Sequence, residues 1–260
     1  MKYNGKDIKV AWLDLDDTII DFLTNSRRAL GRLWAEKAVI HRRFATAEEW
    51  RETYEKHNHR LWDLYSKGLV SRSELRISRF LLPLEEGGVP HEEALEAAYE
   101  YDTLYLDYLA AERELIPGSV KLLRFLREKG VKVGCLSNGF KDVQFRKIRN
   151  CGLEPMFDIV VLSDDIGVNK PDTRLFIYAM ERSGFSDPSC HLMIGDNAAT
   201  DIEGALRSGW EAIQFLRTEN APVHPECVHK ASELTSVIDM LTRGNYGTAD
   251  GKTEVKQVAK

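Results

Sequence analysis

Residues 10–20 read VAWLDLDDTII, an apolar run that ends in three carboxylates and a threonine. The apolar part suits a strand in the interior of a sheet, where an unpaired carboxylate would be costly to bury. Acids at such a position need a cation, a metal or a helix N-terminus, and Mg²⁺ prefers carboxylates and usually arrives with a phosphate. The alternative is that Asp16, Asp17 and Thr18 are turn and N-cap residues of a following helix. The segment alone leaves both interpretations open.

The composition indicates an ordinary globular protein without a nucleic-acid surface. The 260-residue chain is 43% hydrophobic and 30% charged, with a formal charge of −5. A nucleic-acid polymer needs clustered Lys and Arg, so we expect none, whereas a small anion can still be a substrate. No run approaches a membrane span and the N-terminus lacks a signal-peptide pattern, so we expect a cytoplasmic protein with no membrane partner. The four cysteines show no CxxC spacing, and the sequence does not indicate an oligomeric state.

Helical and strand patterns alternate over most of the chain. A first strand over 8–13 precedes a long helical stretch, and after Pro117-Gly118 amphipathic helices alternate with short apolar strands. Such alternation predicts right-handed crossovers and an α/β fold, with a Rossmann-like parallel sheet and helices on both faces. The elements expected after residue 118 are helices over 120–129, 140–150, 171–183, 198–208 and 232–243, and strands over 131–136, 158–162, 191–194 and 212–216.

The stretch between the first strand and Pro117 has an all-helical pattern. Thr46 with Glu49, and Ser71 with Glu74, have the spacing of capping boxes, which predicts helix starts near 47 and 72. A breaker-rich loop is expected at 81–90 and a long helix at 91–111, with the aromatic residues packed between helices. The resulting division is a core over 1–20 and 115–243, a helical cap over 21–114, and a polar tail over 244–260 that we expect to be mobile.

The first polar residues after successive strands form a consistent chemical set. They are Asp14 and Asp16 after the first strand, Ser137 and Asn138 after the second, Lys170 after the third, and Asp196 with Asp201 after the fourth. Ligands of parallel sheets lie outside the carboxyl ends of the strands, so these side chains should meet. Taken singly, each could be a turn or helix-entry residue. Carboxylates, a hydroxyl and an ammonium group at the ends of four successive strands together favour a site for phosphoryl transfer.

Each of these residue types has a physical role in that chemistry. A carboxylate can attack phosphorus to give an aspartyl-phosphate, the role we expect for Asp14. Asp16, two residues later, can protonate the leaving alkoxide and then deprotonate the attacking water. Mg²⁺ bound by Asp14 and Asp196 would offset the repulsion between two anions. Lys170 adds positive charge, and Ser137 with neighbouring backbone N–H groups can hold phosphate oxygens.

These segments resemble the four motifs of the haloacid dehalogenase superfamily. They are DLDDT at 14–18, SNG at 137–139, GVNKPD at 167–172, and GDN at 195–197 with Asp201. The resemblance implies Mg²⁺ held by Asp14, Asp196 and the backbone carbonyl of Asp16. It also implies phosphate contacts from Ser137, Asn138 and Lys170, a supporting role for Asp201, and a turn supported by Thr18 that aims Asp16. The helical insert is similar to the family's first type of cap, which closes over the site and reads the substrate.

Residues beside the motifs narrow the expected function. By resemblance, dehalogenases and phosphonatases lack an Asp at the position of Asp16, and mutases usually have Gly at the position of Asp17. This implies a Mg²⁺-dependent phosphomonoesterase that acts on a small phosphorylated metabolite through an aspartyl-phosphate. TIIDF at 18–22 and SNGF at 137–140, followed by Gln144, look like the pyrimidine 5′-nucleotidase branch, which implies a nucleoside 5′-monophosphate. The alternatives are a sugar-phosphate phosphatase or phosphomutase, and a catalytically silent binding protein.

Overall fold

The structure is a computed structural model that describes residues 1–243. The tail expected to be mobile, residues 244–260, lies outside the described residues. The strands are β1 Lys2–Tyr3, β2 Lys6–Asp7, β3 Val10–Leu13, β4 Lys132–Ser137, β5 Ile159–Leu162, β6 His191–Gly195, β7 Glu211–Phe215 and β8 His229–Ala231. The α-helices are α1 Phe22–Glu36, α2 Ala38–Arg43, α3 Ala47–Ser66, α4 Arg72–Glu86, α5 His91–Ala111, α6 Ser119–Glu128, α7 Lys141–Asn150, α8 Thr173–Ser183, α9 Glu203–Arg207 and α10 Leu234–Arg243.

Six strands form one parallel sheet in the order β5-β4-β3-β6-β7-β8. In the centre, Leu13 of β3 pairs with Cys135 of β4 on one side and with Ile194 of β6 on the other. All of β3 is buried, as a strand covered on both faces requires. Helices α6 and α10 pack on one face of the sheet, and α8 and α9 on the other. The predicted α/β fold is confirmed, and the ends of β3, β4 and β6 lie side by side.

The structure contains short strands that were not predicted, β8 at one edge of the sheet and the hairpin of β1 and β2. The strand expected last, over 212–216, is followed by β8, whose Ala231 pairs with Phe215. β8 reads His-Lys-Ala and lacks the apolar run that marks a strand in sequence. At the other end of the chain, β1 and β2 form a hairpin around Asn4 and Gly5, whose φ angles of 49° and 73° suit an Asn-Gly turn.

Both predicted helix starts in the insert are confirmed by their caps. The side chain of Thr46 accepts a hydrogen bond from the Glu49 N–H at 3.1 Å, and α3 begins at the next residue. Ser71 and Glu74 form a reciprocal capping box, with each side chain bound to the other's backbone N–H. These polar contacts satisfy N–H groups that the first helical turn leaves without partners.

Helix α4 shows that the breaker-rich loop predicted at 81–90 is wrong over its first half. The helix continues through Pro83 to Glu86. A proline in a helix interior costs about 3 kcal/mol, but Pro83 and its apolar neighbours on α4 are buried. The turn forms only at Gly87, whose N–H donates to the carbonyl of Pro83 at 3.0 Å. Burial of the apolar face therefore outweighs local helix propensity in this segment.

Helices α1–α5 surround a hydrophobic cluster that Phe140 and Val143 of the core also join, and it is separate from the two clusters against the sheet. The two ends of this insert meet at the core. The Asp21 N–H donates to the carbonyl of Glu114 at 3.0 Å, and the Ile116 N–H donates to the carbonyl of Ile19 at 3.0 Å. We propose residues 21–114 as a cap on the core. Within residues 1–243, no helix combines the length and the apolarity needed to cross a membrane.

Candidate active site

The end of β3 places Asp14 beside a buried lysine. Asp14 continues the strand by donating its N–H to the carbonyl of Ile194 at 3.0 Å. Lys170 is 1% exposed, and its Nζ contacts Asp14 Oδ1 at 2.6 Å, Asp201 Oδ1 at 2.7 Å and the carbonyl of Leu136 at 2.6 Å. Asp14 and the Leu136 carbonyl accept hydrogen bonds from the ammonium, and Asp201 forms an ion pair with it. Although burial lowers it, the pKa of Lys170 is raised above its usual range by the charges of Asp14 and Asp201, so the lysine stays charged.

Asn138 holds the backbone that carries this lysine. Its Oδ1 accepts from the Lys170 N–H at 2.7 Å, and its Nδ2 donates to the Lys170 carbonyl at 3.1 Å. The side chain that we predicted to contact phosphate is thus engaged in joining β4 to the loop before α8. Ser137 precedes it, and its hydroxyl accepts from the Gly139 N–H at 3.1 Å and from Gln144 Nε2 at 2.7 Å. Both contacts leave the hydroxyl hydrogen of Ser137 for a ligand oxygen.

The carboxylate of Asp16 is bound by side chains of helix α7. Oδ2 accepts from Gln144 Nε2 at 2.8 Å, and Oδ1 pairs with the ammonium of Lys147. The metal contact predicted for Asp16 uses its backbone carbonyl, so these side-chain contacts are compatible with that prediction. Resemblance alone points to Gln144, and no motif of the sequence indicates Lys147. The available signal was their spacing, because residues three apart on a helix share one face.

The hydroxyl of Thr18 contacts Asp196. The prediction was a different role for Thr18, that of supporting the turn that aims Asp16. Its hydroxyl donates to Asp196 Oδ1 at 3.2 Å and accepts from the Asp196 N–H at 3.1 Å. The turn is formed by Asp17, which has a φ of 60° and accepts from the Leu23 N–H at 3.0 Å. Asp17 also pairs with Arg217, a contact that the sequence did not indicate. Burial nevertheless raises the pKa of Asp17 to about 6.

Asp14, Asp196 and Asp201 offer carboxylate oxygens that all lie within 4.8 Å of one another. Burial raises the pKa of Asp14 to about 7, and burial together with the charges of Asp201 and Asp14 raises the pKa of Asp196 well above its usual range. One ammonium, that of Lys170, does not balance three clustered carboxylates, of which Asp14 and Asp201 are buried and Asp196 is partly buried. An all-oxygen donor set with excess negative charge fits a hard divalent cation such as Mg²⁺. Gly195 permits this crowding, since a Cβ there would lie 2.4 Å from Asp201 Oδ2.

Comparison with known proteins identifies the family. A family model described as haloacid dehalogenase-like hydrolase matches residues 8–209. The chain belongs to this family. The hydrolase is 32% identical over 204 residues to pyrimidine 5′-nucleotidase YjjG of Escherichia coli (strain K12), a match that covers 78% of this chain and 84% of YjjG. It is 32% identical over 241 residues to phosphoserine phosphatase of Thermus thermophilus, covering 84% of this chain and 94% of that enzyme.

Solved structures show the same fold. YfnB from Bacillus subtilis, bound to magnesium, superposes on the hydrolase with a TM-score of 0.79 at 24% identity, covering 91% of this chain and 100% of YfnB. A 2-haloacid dehalogenase from Pseudomonas syringae superposes with a TM-score of 0.60 at 25% identity, covering 91% of this chain and 99% of the dehalogenase. Proteins named as a nucleotidase, a phosphatase and a dehalogenase are thus similar to this chain. Similarity of fold alone therefore does not identify the substrate.

A cavity of about 480 Å³ extends from the acids of the hydrolase to the cap. Its core end is formed by the ends of β3 and β4 and by Lys170. Its cap side includes Phe22 of α1, Leu106 and Leu109 of α5, and six residues of α3 and α4, which are Asn58, His59, Trp62, Asp63, Ser66 and Arg79. Trp62 of the cap stacks on Phe140 of the core, with ring centroids 5.4 Å apart and planes 26° from parallel. The cavity thus has a charged end and an aromatic end.

Arg72 at the start of α4 joins the cap to the core of the hydrolase. Its guanidinium donates to Asp164 Oδ2 at 2.9 Å and to Asp142 Oδ1 at 2.5 Å, and lies 4.4 Å from the centre of the Phe140 ring. Asp164 also accepts from the Lys141 N–H at 2.9 Å. These contacts join α4 to the segment of the core that carries Phe140, a residue that lines the cavity. They also engage Asp164 away from the clustered acids.

Proposed function

We propose that this hydrolase is a Mg²⁺-dependent phosphomonoesterase that cleaves a nucleoside 5′-monophosphate through an aspartyl-phosphate on Asp14. The observation that carries the proposal is the buried pair of Asp14 and Lys170 at the end of β3, within a group of acids that fits Mg²⁺. The names of two relatives, a nucleotidase and a phosphatase, support cleavage of a phosphate ester. The magnesium in the YfnB structure supports the metal.

In the proposed first step, a carboxylate oxygen of Asp14 attacks phosphorus and the bond from phosphorus to the ester oxygen breaks. Asp16 gives a proton to the departing oxygen, so the alcohol leaves neutral. In the second step Asp16 takes a proton from water, and the water oxygen attacks phosphorus, which releases inorganic phosphate and restores Asp14. Held by Asp14, Asp196 and the Asp16 carbonyl, Mg²⁺ would supply Lewis-acid stabilisation of the phosphoryl oxygens. Lys170 and the Ser137 hydroxyl add fixed positive charge and a hydrogen-bond donor.

One stripe of helix α3 supports a nucleoside as the alcohol part of the substrate. Asn58, Trp62 and Ser66 recur every four residues and line the cavity. Asn58 is 7% exposed, and its Oδ1 has no hydrogen-bond partner among the described residues. A buried amide oxygen without a partner suits a ligand that brings an N–H group, and Trp62 offers a face on which a base can stack. A uracil ring has both properties.

The alternatives fit these observations less well. A sugar phosphate offers no aromatic face to Trp62 and no ring N–H to Asn58. A catalytically silent protein is disfavoured because the expected acids are all present and Lys170 pairs with two of them, Asp14 and Asp201. A phosphomutase would return the phosphoryl group to a sugar, and that outcome can be separated from hydrolysis by its products.

The proposed reaction is tested by measuring inorganic phosphate. We expect release from uridine 5′-monophosphate in the presence of Mg²⁺, more slowly from glyceraldehyde 3-phosphate and phosphoserine, with no isomer formed from a phosphosugar. EDTA should abolish turnover and added Mg²⁺ should restore it, because the clustered carboxylates would otherwise repel the phosphate. Undiminished turnover in EDTA would contradict the metal, and formation of a phosphosugar isomer without phosphate would contradict hydrolysis.

The substrate class is tested by removing either partner of the proposed contact, the acceptor oxygen of Asn58 or the N–H group of the base. Asn58→Leu should lower kcat/KM for uridine 5′-monophosphate by roughly tenfold, the value of about one hydrogen bond. The same substitution should have little effect on 3-deazauridine 5′-monophosphate, which lacks the ring N–H, or on 4-nitrophenyl phosphate. Equal losses for the two nucleotides would show that Asn58 does not bind this group.

A further inference from the structure

Helix α7 carries a lysine that is buried although it lies at the edge of the cavity. Lys147 is 2% exposed, and a lysine buried to this degree needs a partner for its charge. Its Nζ pairs with Asp16 Oδ1, donates to Gln144 Oε1 at 2.9 Å, and lies 5.3 Å from the centre of the Phe22 ring. Its position is therefore fixed by three different groups. Neither Lys147 nor these contacts belong to the reaction steps proposed above.

Gln144, one turn earlier on α7, binds the other oxygen of the same carboxylate. Its Nε2 donates to Asp16 Oδ2 at 2.8 Å and to Ser137 Oγ at 2.7 Å, which uses both hydrogens of the amide. A Cβ at Gly139 would lie 2.1 Å from that nitrogen, so the glycine is needed for this approach. Both carboxylate oxygens of Asp16 are thus held from one helix face.

We propose that Gln144 and Lys147 are positioning residues that hold the carboxyl group of Asp16 toward the leaving oxygen of the substrate. This inference rests on the proposed function, in which Asp16 moves the proton. Proton transfer requires the carboxyl group within hydrogen-bond reach of the reacting oxygen, and a small misplacement is costly. Asp16 lies in the loop after β3 with its side chain 29% exposed, so local packing alone leaves it free to turn. The link from Gln144 to Ser137 also sets Asp16 relative to the proposed phosphate site.

The test is a comparison of leaving groups, because only a poor leaving group needs a proton. Uridine 5′-monophosphate has an alkyl leaving group, whereas 4-nitrophenyl phosphate releases a phenolate that departs without one. We expect Lys147→Met to lower kcat/KM for the alkyl ester at least about tenfold, and for the aryl ester less than about threefold. Asp16→Asn should show the same pattern with an alkyl loss of about 10²-fold or more. The double variant should lose no more than Asp16→Asn alone, since the lysine acts through Asp16.

Lys141→Met is the matched control. Lys141 lies on the same helix, and its ammonium pairs with Asp165 at 2.8 Å outside the cavity. This variant should leave the alkyl-to-aryl ratio unchanged. Circular dichroism and thermal unfolding show whether Lys147→Met folds. The second variant is Lys147→Gln, whose side chain is neutral but can still form hydrogen bonds.

The outcomes separate the two proposals. Suppose that Asp16→Asn shows the leaving-group dependence, but the Lys147 variants lower kcat/KM equally for the two esters or leave both values unchanged. The positioning role is then wrong and the proposed function stands. If Asp16→Asn shows no such dependence, the proton-transfer role of Asp16 is wrong and the inference fails with it. A double variant with fully additive losses would likewise contradict the action of Lys147 through Asp16.

Discussion

Asp14→Asn should lower phosphomonoester turnover by more than about 10⁴-fold, because an amide does not attack phosphorus as a carboxylate does. The fold should survive, since Asn has nearly the same shape. Burial already raises the pKa of Asp14 to about 7, which means that the protein around it disfavours the charged form. A neutral amide avoids that desolvation cost. Initial rates of phosphate release, together with thermal unfolding of the same samples, measure both effects.

The control for this substitution is the same chemical change outside the cavity. Asp187→Asn is suitable, because Asp187 accepts from the Ser189 N–H at 2.9 Å and an asparagine can still do so. It should keep turnover near that of the unchanged protein. Near-normal turnover in Asp14→Asn, with contaminating phosphatase excluded by the control preparation, would contradict the nucleophile assignment.

Lys170→Met should have the largest effect on stability. Lys170 separates two buried acids and also satisfies the carbonyl of Leu136. Removing the cation leaves these two carboxylates without a compensating charge. Deleting one partner of a buried ion pair typically lowers the free energy of unfolding by about 3–5 kcal/mol. We expect a loss of this size in the free energy of unfolding, measured with denaturant in EDTA, and a loss of turnover as well.

A second substitution shows whether charge is the cause. Asp201→Asn in the Lys170→Met background removes one of the two carboxylates and should recover part of the lost stability. The amide can still accept from the Asn197 N–H, which Asp201 Oδ2 binds at 3.0 Å. A double variant that is no more stable than Lys170→Met alone would indicate that lost packing, and not unpaired charge, explains the effect.

Most of the core could be predicted because its signals are local. The apolar run that becomes β3 ends at Asp14, and parallel strands must bring their carboxyl ends to one edge, so Asp196 and Lys170 could be placed near it without coordinates. Their proximity is found in the structure. Their chemical roles remain proposals.

The parts that sequence analysis missed depend on contacts between distant segments. Arg217 meets Asp17 across 200 positions of sequence, and no local pattern announces such a pair. Lys147 looks like an ordinary surface lysine until α7 is packed beside the loop of Asp16. Pro83 normally ends a helix, yet burial of α4 overrides this preference. Each miss has the same origin, which is that tertiary packing assigns a partner or a conformation that local propensity does not favour.

The helical insert begins at Asp21 and ends at Glu114, and these two residues are hydrogen-bonded through their backbones. Because the two ends of the insert are adjacent, the folded helices between them act as a short loop. Their entropic cost for closing the sheet is therefore small. Mutations, and even insertions, in α1–α5 can therefore change the part of the cavity lining that these helices form while Asp14 and Lys170 keep their geometry. In evolutionary terms the two parts can diverge at different rates, so one reaction can be inherited by descendants that act on different molecules.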